Sequence, residues 1–94
     1  MSYKLLFKVA ALKEWKKLDP AVREIFKKRL AERLKNPHNE SSRLSGMKNC
    51  YKLKLRRAGF RLVYQVKNKE LVVVVIAVGK REKNFIYKKA TKRI

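Results

Sequence analysis

The stretch Cys50–Val66, CYKLKLRRAGFRLVYQV, decides the fold of this chain and raises its main puzzle. Successive side chains of a strand point to opposite faces. On that period Tyr51, Leu53 and Leu55 share one side, and Lys52, Lys54 and Arg56 share the other. With Ala58-Gly59 as a two-residue turn, Arg57 opposes Phe60, Leu55 opposes Leu62 and Leu53 opposes Tyr64. The same register sets Arg56 opposite Arg61, Lys54 opposite Val63 and Lys52 opposite Gln65. Opposed residues share a face, so the apolar set can pack while the basic set is displayed. Like charges facing one another destabilise a hairpin, and no acidic residue between Cys50 and Lys69 relieves them. A face bearing Lys52, Lys54, Arg56 and Arg61 is therefore expected to bind phosphates. Lys80 and Arg81, just beyond the next strand, are expected to reach the same concavity.

Working outward, Tyr3–Phe7 reads as an opening strand and Val9 to Leu18 as a helix, with Val9, Leu12, Trp15 and Leu18 at helical spacing. Asp19 is a good N-cap and Pro20 suits a first helical turn, where its missing N–H is not needed. The second helix carries Val22, Ile25, Phe26, Leu30 and Leu34 on one stripe and stops before Pro37. Its other faces are basic, including Arg23, Lys27, Lys28, Arg29, Arg33 and Lys35. A loop over 36–49 leads to strands at about 50–56, 60–67 and 70–78, the last two joined through Asn68-Lys69. The basic tail after Gly79 contains Phe85, Ile86 and Tyr87. It is expected to form a short helix only if docked.

The order β-α-α-β-β-β-α predicts one α+β domain over residues 1–94. Its sheet should be antiparallel-rich, with two N-terminal helices packed on one face and a short C-terminal helix. The expected core is Leu12, Trp15, Leu18, Val22, Phe26, Leu30, Leu53, Leu55, Leu62, Tyr64 and alternate residues of 71–78.

Composition narrows the partner. Twenty-seven Lys and Arg face 7 acidic residues, a formal net charge of +20, while 46% of residues are hydrophobic. Such a chain can bury a core yet repels itself, which points to a polyanion. Nucleic acid leads; an anionic membrane surface or an acidic protein partner are the rivals. The longest apolar run, Leu71–Val78, is far short of the roughly 20 residues of a spanning helix and is β-branched like a buried strand. The lone Cys50 excludes an internal disulfide, and no secretory signal is legible, so a cytoplasmic protein is expected.

No Cys/His cluster or Gly-rich phosphate loop is present, so neither metal nor cofactor is expected. His38 lies in a Pro/Asn loop and Glu82 reads as a solvated charge, which leaves Lys, Arg and Tyr for any chemistry. RNA cleavage needs a deprotonated 2′-OH, a stabilised phosphorane-like charge and a protonated leaving oxygen. Crowded cations lower one another's proton affinity, so a lysine among them can serve as base, while the others stabilise charge. Tyr64 belongs to the core; Tyr87 is placed to stack on an unpaired base.

The segments ALKEWKKL, VRE, GMKNCYKLKLRRAGFRLVYQV and VIAVGKRE, with the late Tyr87, resemble the RelE family of bacterial toxins (RelE/ParE superfamily) from Tyr3 to Arg93. The resemblance implies a type II toxin that cuts mRNA in the ribosomal A site without a metal. It assigns catalysis to Lys52, Lys54, Arg61, Arg81 and Tyr87. Lys54 would be the general base, Lys52 and Arg61 would stabilise the phosphate, and Tyr87 would orient the scissile nucleotide. Arg81 would stabilise the phosphate too and protonate the leaving oxygen, although a guanidinium of such high proton affinity is a poor acid on first principles. Arg56, Lys80, Arg23, Lys27, Lys28 and Arg29 would bind mRNA or 16S rRNA in the 70S ribosome. Ser45 departs from the family pattern, which has a basic residue before the glycine. A RelB-like antitoxin would neutralise the toxin and displace the last helix, and operator DNA would be met only through that complex. Two other classes stay open: a non-catalytic binder that blocks the A site, and a DNA-binding regulator acting alone.

Overall fold

The central hairpin forms with a wider turn than the two-residue reading. In the computed structural model, which describes residues 2–82 and 85–94, β2 (Cys50–Leu55) pairs antiparallel with β3 (Phe60–Lys67). Leu55 faces Phe60, Lys54 faces Arg61, Leu53 faces Leu62 and Lys52 faces Val63. Arg56–Gly59 make a four-residue turn, closed by the Gly59 N–H donating to the Leu55 carbonyl at 2.8 Å. Gly59 has φ +70°, a left-handed conformation that glycine adopts without a Cβ penalty. The register differs by two residues, so each side chain keeps its face. What changes is the opposed pair: Lys54, rather than Arg56, confronts Arg61.

The element order is β1 (Lys4–Phe7), α1 (Val9–Lys16), α2 (Pro20–Lys35), a 3-10 turn (Glu40–Ser42), β2, β3, β4 (Val72–Lys80) and α3 (Phe85–Arg93). The sheet runs β1-β4-β3-β2, antiparallel except for β1 beside β4. This is the expected α+β architecture. The Asp19 carboxylate accepts from the Ala21 N–H at 2.8 Å and Pro20 opens α2, as its capping chemistry requires.

One cluster packs α1 and α2 on the sheet through Ala11, Leu18, Phe26, Leu30, Tyr51, Leu53, Leu55, Leu62, Tyr64, Val66, Val73, Val75 and Val78. Two apolar stripes differ from the sequence reading. Along α1 and just beyond its end the inward set is Ala11, Trp15 and Leu18, while Val9 and Leu12 are exposed. Both sets have helical spacing, but the small Ala11 lets the helix lie close to β4. On α2, Ile25 is 44% exposed, because it sits at the stripe's margin and faces a groove by the β2–β3 turn.

The second cluster lies on the other face, where Met47, Cys50, Val63, Val74, Ile76 and Ala77 meet Ile86 and Ala90 of α3. The helices therefore cover both faces, and Val73–Val78 are buried throughout instead of at alternate positions. A β-bulge adds to this. Val63 pairs with Ala77 but Tyr64 pairs with Val75, so Ile76 is an extra residue. The bulge turns Ile76 and Ala77 to the same side and sets Gly79, the partner of Arg61, beneath α3. Burial pushes the Cys50 thiol up to about 11, leaving it protonated.

The Tyr64 hydroxyl fastens this assembly. It donates to the Pro37 carbonyl at 2.8 Å and accepts from Arg33 at 2.9 Å, while Arg33 also donates to Ser42 and to the Lys52 carbonyl. Tyr64→Phe would strand the Pro37 carbonyl in the interior. Urea unfolding should show a loss of about 1–3 kcal/mol with unchanged m-value.

Candidate functional site

Lys52 and Lys54 of β2 and Arg61 of β3 project from the face that carries α3, all three half-buried. Arg81 joins them through its backbone. Its N–H donates to the Gly59 carbonyl at 2.7 Å, which continues the β3–β4 pairing past Lys80 and brings Arg81 to the hairpin turn. A cleft of about 240 Å³ results, lined by Lys54, Leu55, Arg56, Phe60, Arg61 and Arg81. Tyr87 reaches the same group from α3: Arg61 donates to its hydroxyl at 2.9 Å, and the guanidinium lies 5.6 Å from the ring centre.

The remaining sequence-derived residues divide. Arg56 lies in the hairpin turn and lines the cleft. Lys80 pairs with Phe60 and turns to the opposite side of the strand from Gly79, so it does not share the concavity. It lines a groove with Glu14, Lys17, Asp19 and Lys89. The alternation of β4 beyond the bulge makes this unavoidable. Lys27, Lys28 and Arg29 are exposed on α2, and Arg23 donates to the Lys16 carbonyl at 3.3 Å. Of these four, Arg29 reaches a groove that also contains Lys54 and Arg56, so the basic surface of α2 meets the cleft there. His38 is exposed near Tyr3 and Tyr51, its Nε2 2.7 Å from Asn68 Oδ1, and Tyr51 faces the side of β2 opposite to Lys54.

Among the described residues, no carboxylate forms an ion pair with Lys52, Lys54, Arg61 or Arg81. The electrostatic result is local. Lys54 is held below the ordinary lysine value of 10.5, chiefly by the neighbouring charge of Lys52, then by partial desolvation and by Arg61 and Arg56. Folding thus disfavours its charged form. The strain is present at neutral pH and is relieved as pH rises through the folded-state value toward the unfolded one.

Two contributors were not legible as site residues. Glu14 of α1 accepts from Lys89 at 2.9 Å and from Arg93 at 2.8 and 3.0 Å, and its Oε1 lies 3.3 Å from the Val78 nitrogen that donates to it. Its sequence signal is only that it is a carboxylate on a helix otherwise acid-free. Gly79 lacks any visible turn role; a Cβ there would lie 2.9 Å from Ile86 Cδ1.

The crowding is measurable. An NMR titration of the lysine side chains should give Lys54 a midpoint below the ordinary lysine value of 10.5. Lys52→Met should move the Lys54 midpoint up toward the ordinary value and raise stability at neutral pH.

A model of the ParE toxin of the type II toxin–antitoxin system parDE matches residues 5–85. The mRNA interferase toxin RelE of Escherichia coli K12 is 54% identical over 94 residues, covering 100% of this chain and 99% of that protein. A mutant E. coli RelE toxin in the free state matches with a TM-score of 0.93 at 53% identity, over 100% of this chain and 99% of that one. The toxin in the intact E. coli RelBE toxin–antitoxin complex gives 0.84 at 54% identity, over 87% of this chain and 100% of its own. No helix among the described residues is long and apolar enough to cross a membrane. The chain belongs to the ParE toxin family of type II toxin–antitoxin systems, and the relatives it matches are RelE toxins.

Proposed function

We propose that the protein is a ribosome-dependent endoribonuclease that cleaves mRNA in the A site and so stops translation. The observation that carries this reading is the cluster of Lys52, Lys54 and Arg61 on one strand pair, without carboxylate partners among the described residues and with the Tyr87 hydroxyl held on Arg61. The full-length likeness to a toxin named as an mRNA interferase supports it. Lys54, its proton affinity lowered by its neighbours, takes the 2′-OH proton. The 2′-oxygen attacks the adjacent phosphorus, the bond to the 5′-oxygen breaks as that oxygen takes a proton from water, a 2′,3′-cyclic phosphate and a 5′-OH end result, and the Lys54 ammonium returns its proton to solvent. Lys52 and Arg61 stabilise the charge that develops on the phosphate. Arg81 hydrogen-bonds the phosphate or the departing oxygen, a role that suits a guanidinium better than giving up a proton. Tyr87 orients the scissile nucleotide.

This chemistry uses no cofactor and is slow until an external scaffold aligns the message, which is the ribosome's part. Arg56 continues the message-binding cleft, while Arg23, Lys27, Lys28 and Arg29 present a cationic helix face suited to 16S rRNA. Lys80 lies toward another groove and contacts RNA there, outside the cleft. A RelB-like antitoxin neutralises the toxin, as the name of the RelBE complex supports, and carries any operator binding. The working compartment is the cytoplasm.

Primer extension on message from arrested cells should reveal new 5′ ends inside codons. Lys54→Ala or Arg81→Ala should reduce single-turnover cleavage on programmed ribosomes by about 10²–10⁴-fold while the fold persists. Full arrest without new ends would instead mean that the protein acts by occupancy.

A further inference from the structure

α3 is an awkward helix to dock. It carries Lys88, Lys89, Lys92 and Arg93 and no acid, in a chain of net charge +20, beside a face already crowded with Lys52, Lys54 and Arg61. Ile86 and Ala90 are its buried residues, with Tyr87 packed beside them, a small apolar attachment to set against that repulsion. The opposing force is concentrated in one place. The Glu14 carboxylate, 18% exposed, receives Lys89, both nitrogens of the Arg93 fork and the Val78 N–H. Arg93 also donates to the Ile76 carbonyl at 2.9 Å, so the end of α3 is tied to α1 and β4 together. At its other end the missing Cβ of Gly79 admits Ile86, and the next residue is Tyr87 on Arg61.

We propose that Glu14 is a positioning residue: by anchoring the cationic α3, it holds the Tyr87 hydroxyl on Arg61 and completes the cleft. Glu14 touches neither Arg61 nor any group of the cleft; it acts through the helix. This rests on the proposed cleavage for its consequence, but the docking itself can be read separately. Burial alone would raise the Glu14 carboxyl, yet Arg93, Lys89 and the Val78 N–H outweigh it and hold it below 4.5. Lys17, Lys80 and Asp19 border the same groove. The anchor is therefore fully present at neutral pH and is lost as pH falls through that depressed value.

The test uses Glu14→Gln, which keeps the shape and removes the charge. Amide exchange over Phe85–Arg93 should accelerate by about 10- to 100-fold, with sheet amides unchanged, as expected for losing a charge-assisted hydrogen-bond pair. Single-turnover cleavage on programmed ribosomes should fall, with ribosome affinity unchanged, and should fall no further when Glu14→Gln is added to Tyr87→Ala. Glu14→Lys combined with Lys89→Glu, which returns a carboxylate between two cations, should restore slow exchange and part of the rate. If Glu14→Gln disrupts the sheet, Lys89→Met from the α3 side of the contact carries the same readings. Unchanged α3 exchange, or losses that add fully to those of Tyr87→Ala, would overturn the proposal. Absence of cleavage by the wild type would remove the catalytic reading alone, since the exchange and the Tyr87 ring signals still report whether Glu14 sets the helix.

Discussion

The pairing of Lys54 with Arg61 across β2 and β3, with Lys52 one step along the same face, is the constraint on which the rest of the molecule depends. A ladder of like charges is unfavourable in itself. It persists because the other face of the same hairpin buries Leu53, Leu55, Leu62 and Tyr64, each large apolar side chain contributing about 1.5–3 kcal/mol when fully buried. Register is what links the two. A slip by one residue would put the lysines into the core and the leucines into water, so the apolar face enforces the arrangement that the charges resist.

The sheet solves a second problem on that charged face, where α3 must also find apolar footing. The bulge at Ile76 gives β4 two consecutive side chains on the α3 side, and it rephases the strand so that Gly79 lies under Ile86. The same rephasing sends Lys80 away from the cleft. Half of this face is thus a small hydrophobic platform for a helix, and the other half is an open cationic cleft. Tyr87 stands at the boundary. A cleft made this way has its cations positioned by strands, while its aromatic rests on a lightly attached helix, and the two can respond differently to a partner.

Much of this was legible in the chain. The period-two alternation of Cys50–Val66 fixes which side chains share a face even when the turn length is misjudged, because an even error preserves parity. Asp19-Pro20 and Pro37 bound α2 through local chemistry that tertiary packing does not override. The illegible parts depend on what lies opposite. Nothing in the α1 segment distinguishes Ala11–Trp15–Leu18 from Val9–Leu12–Trp15 until β4 is in place. The run Val72–Val78 conceals its bulge because every residue in it is apolar. Glu14 could not be recognised as an anchor because its partners lie 75 and 79 positions away in sequence. The toxin relationship was carried by motif likeness and not by these physical patterns, which by themselves reach only an α+β domain with a phosphate-binding face.

The cations of one sheet face, unpaired with carboxylates among the described residues, are proposed to hold the scissile phosphate. A structure of the protein on a ribosome whose A-site codon carries 2′-O-methyl groups, which block attack, addresses this directly. The phosphate should lie within hydrogen-bond reach of Lys52, Arg61 and Arg81, with Lys54 Nζ beside the 2′-oxygen. Message lying instead along α2, with the cleft vacant, would contradict the proposal.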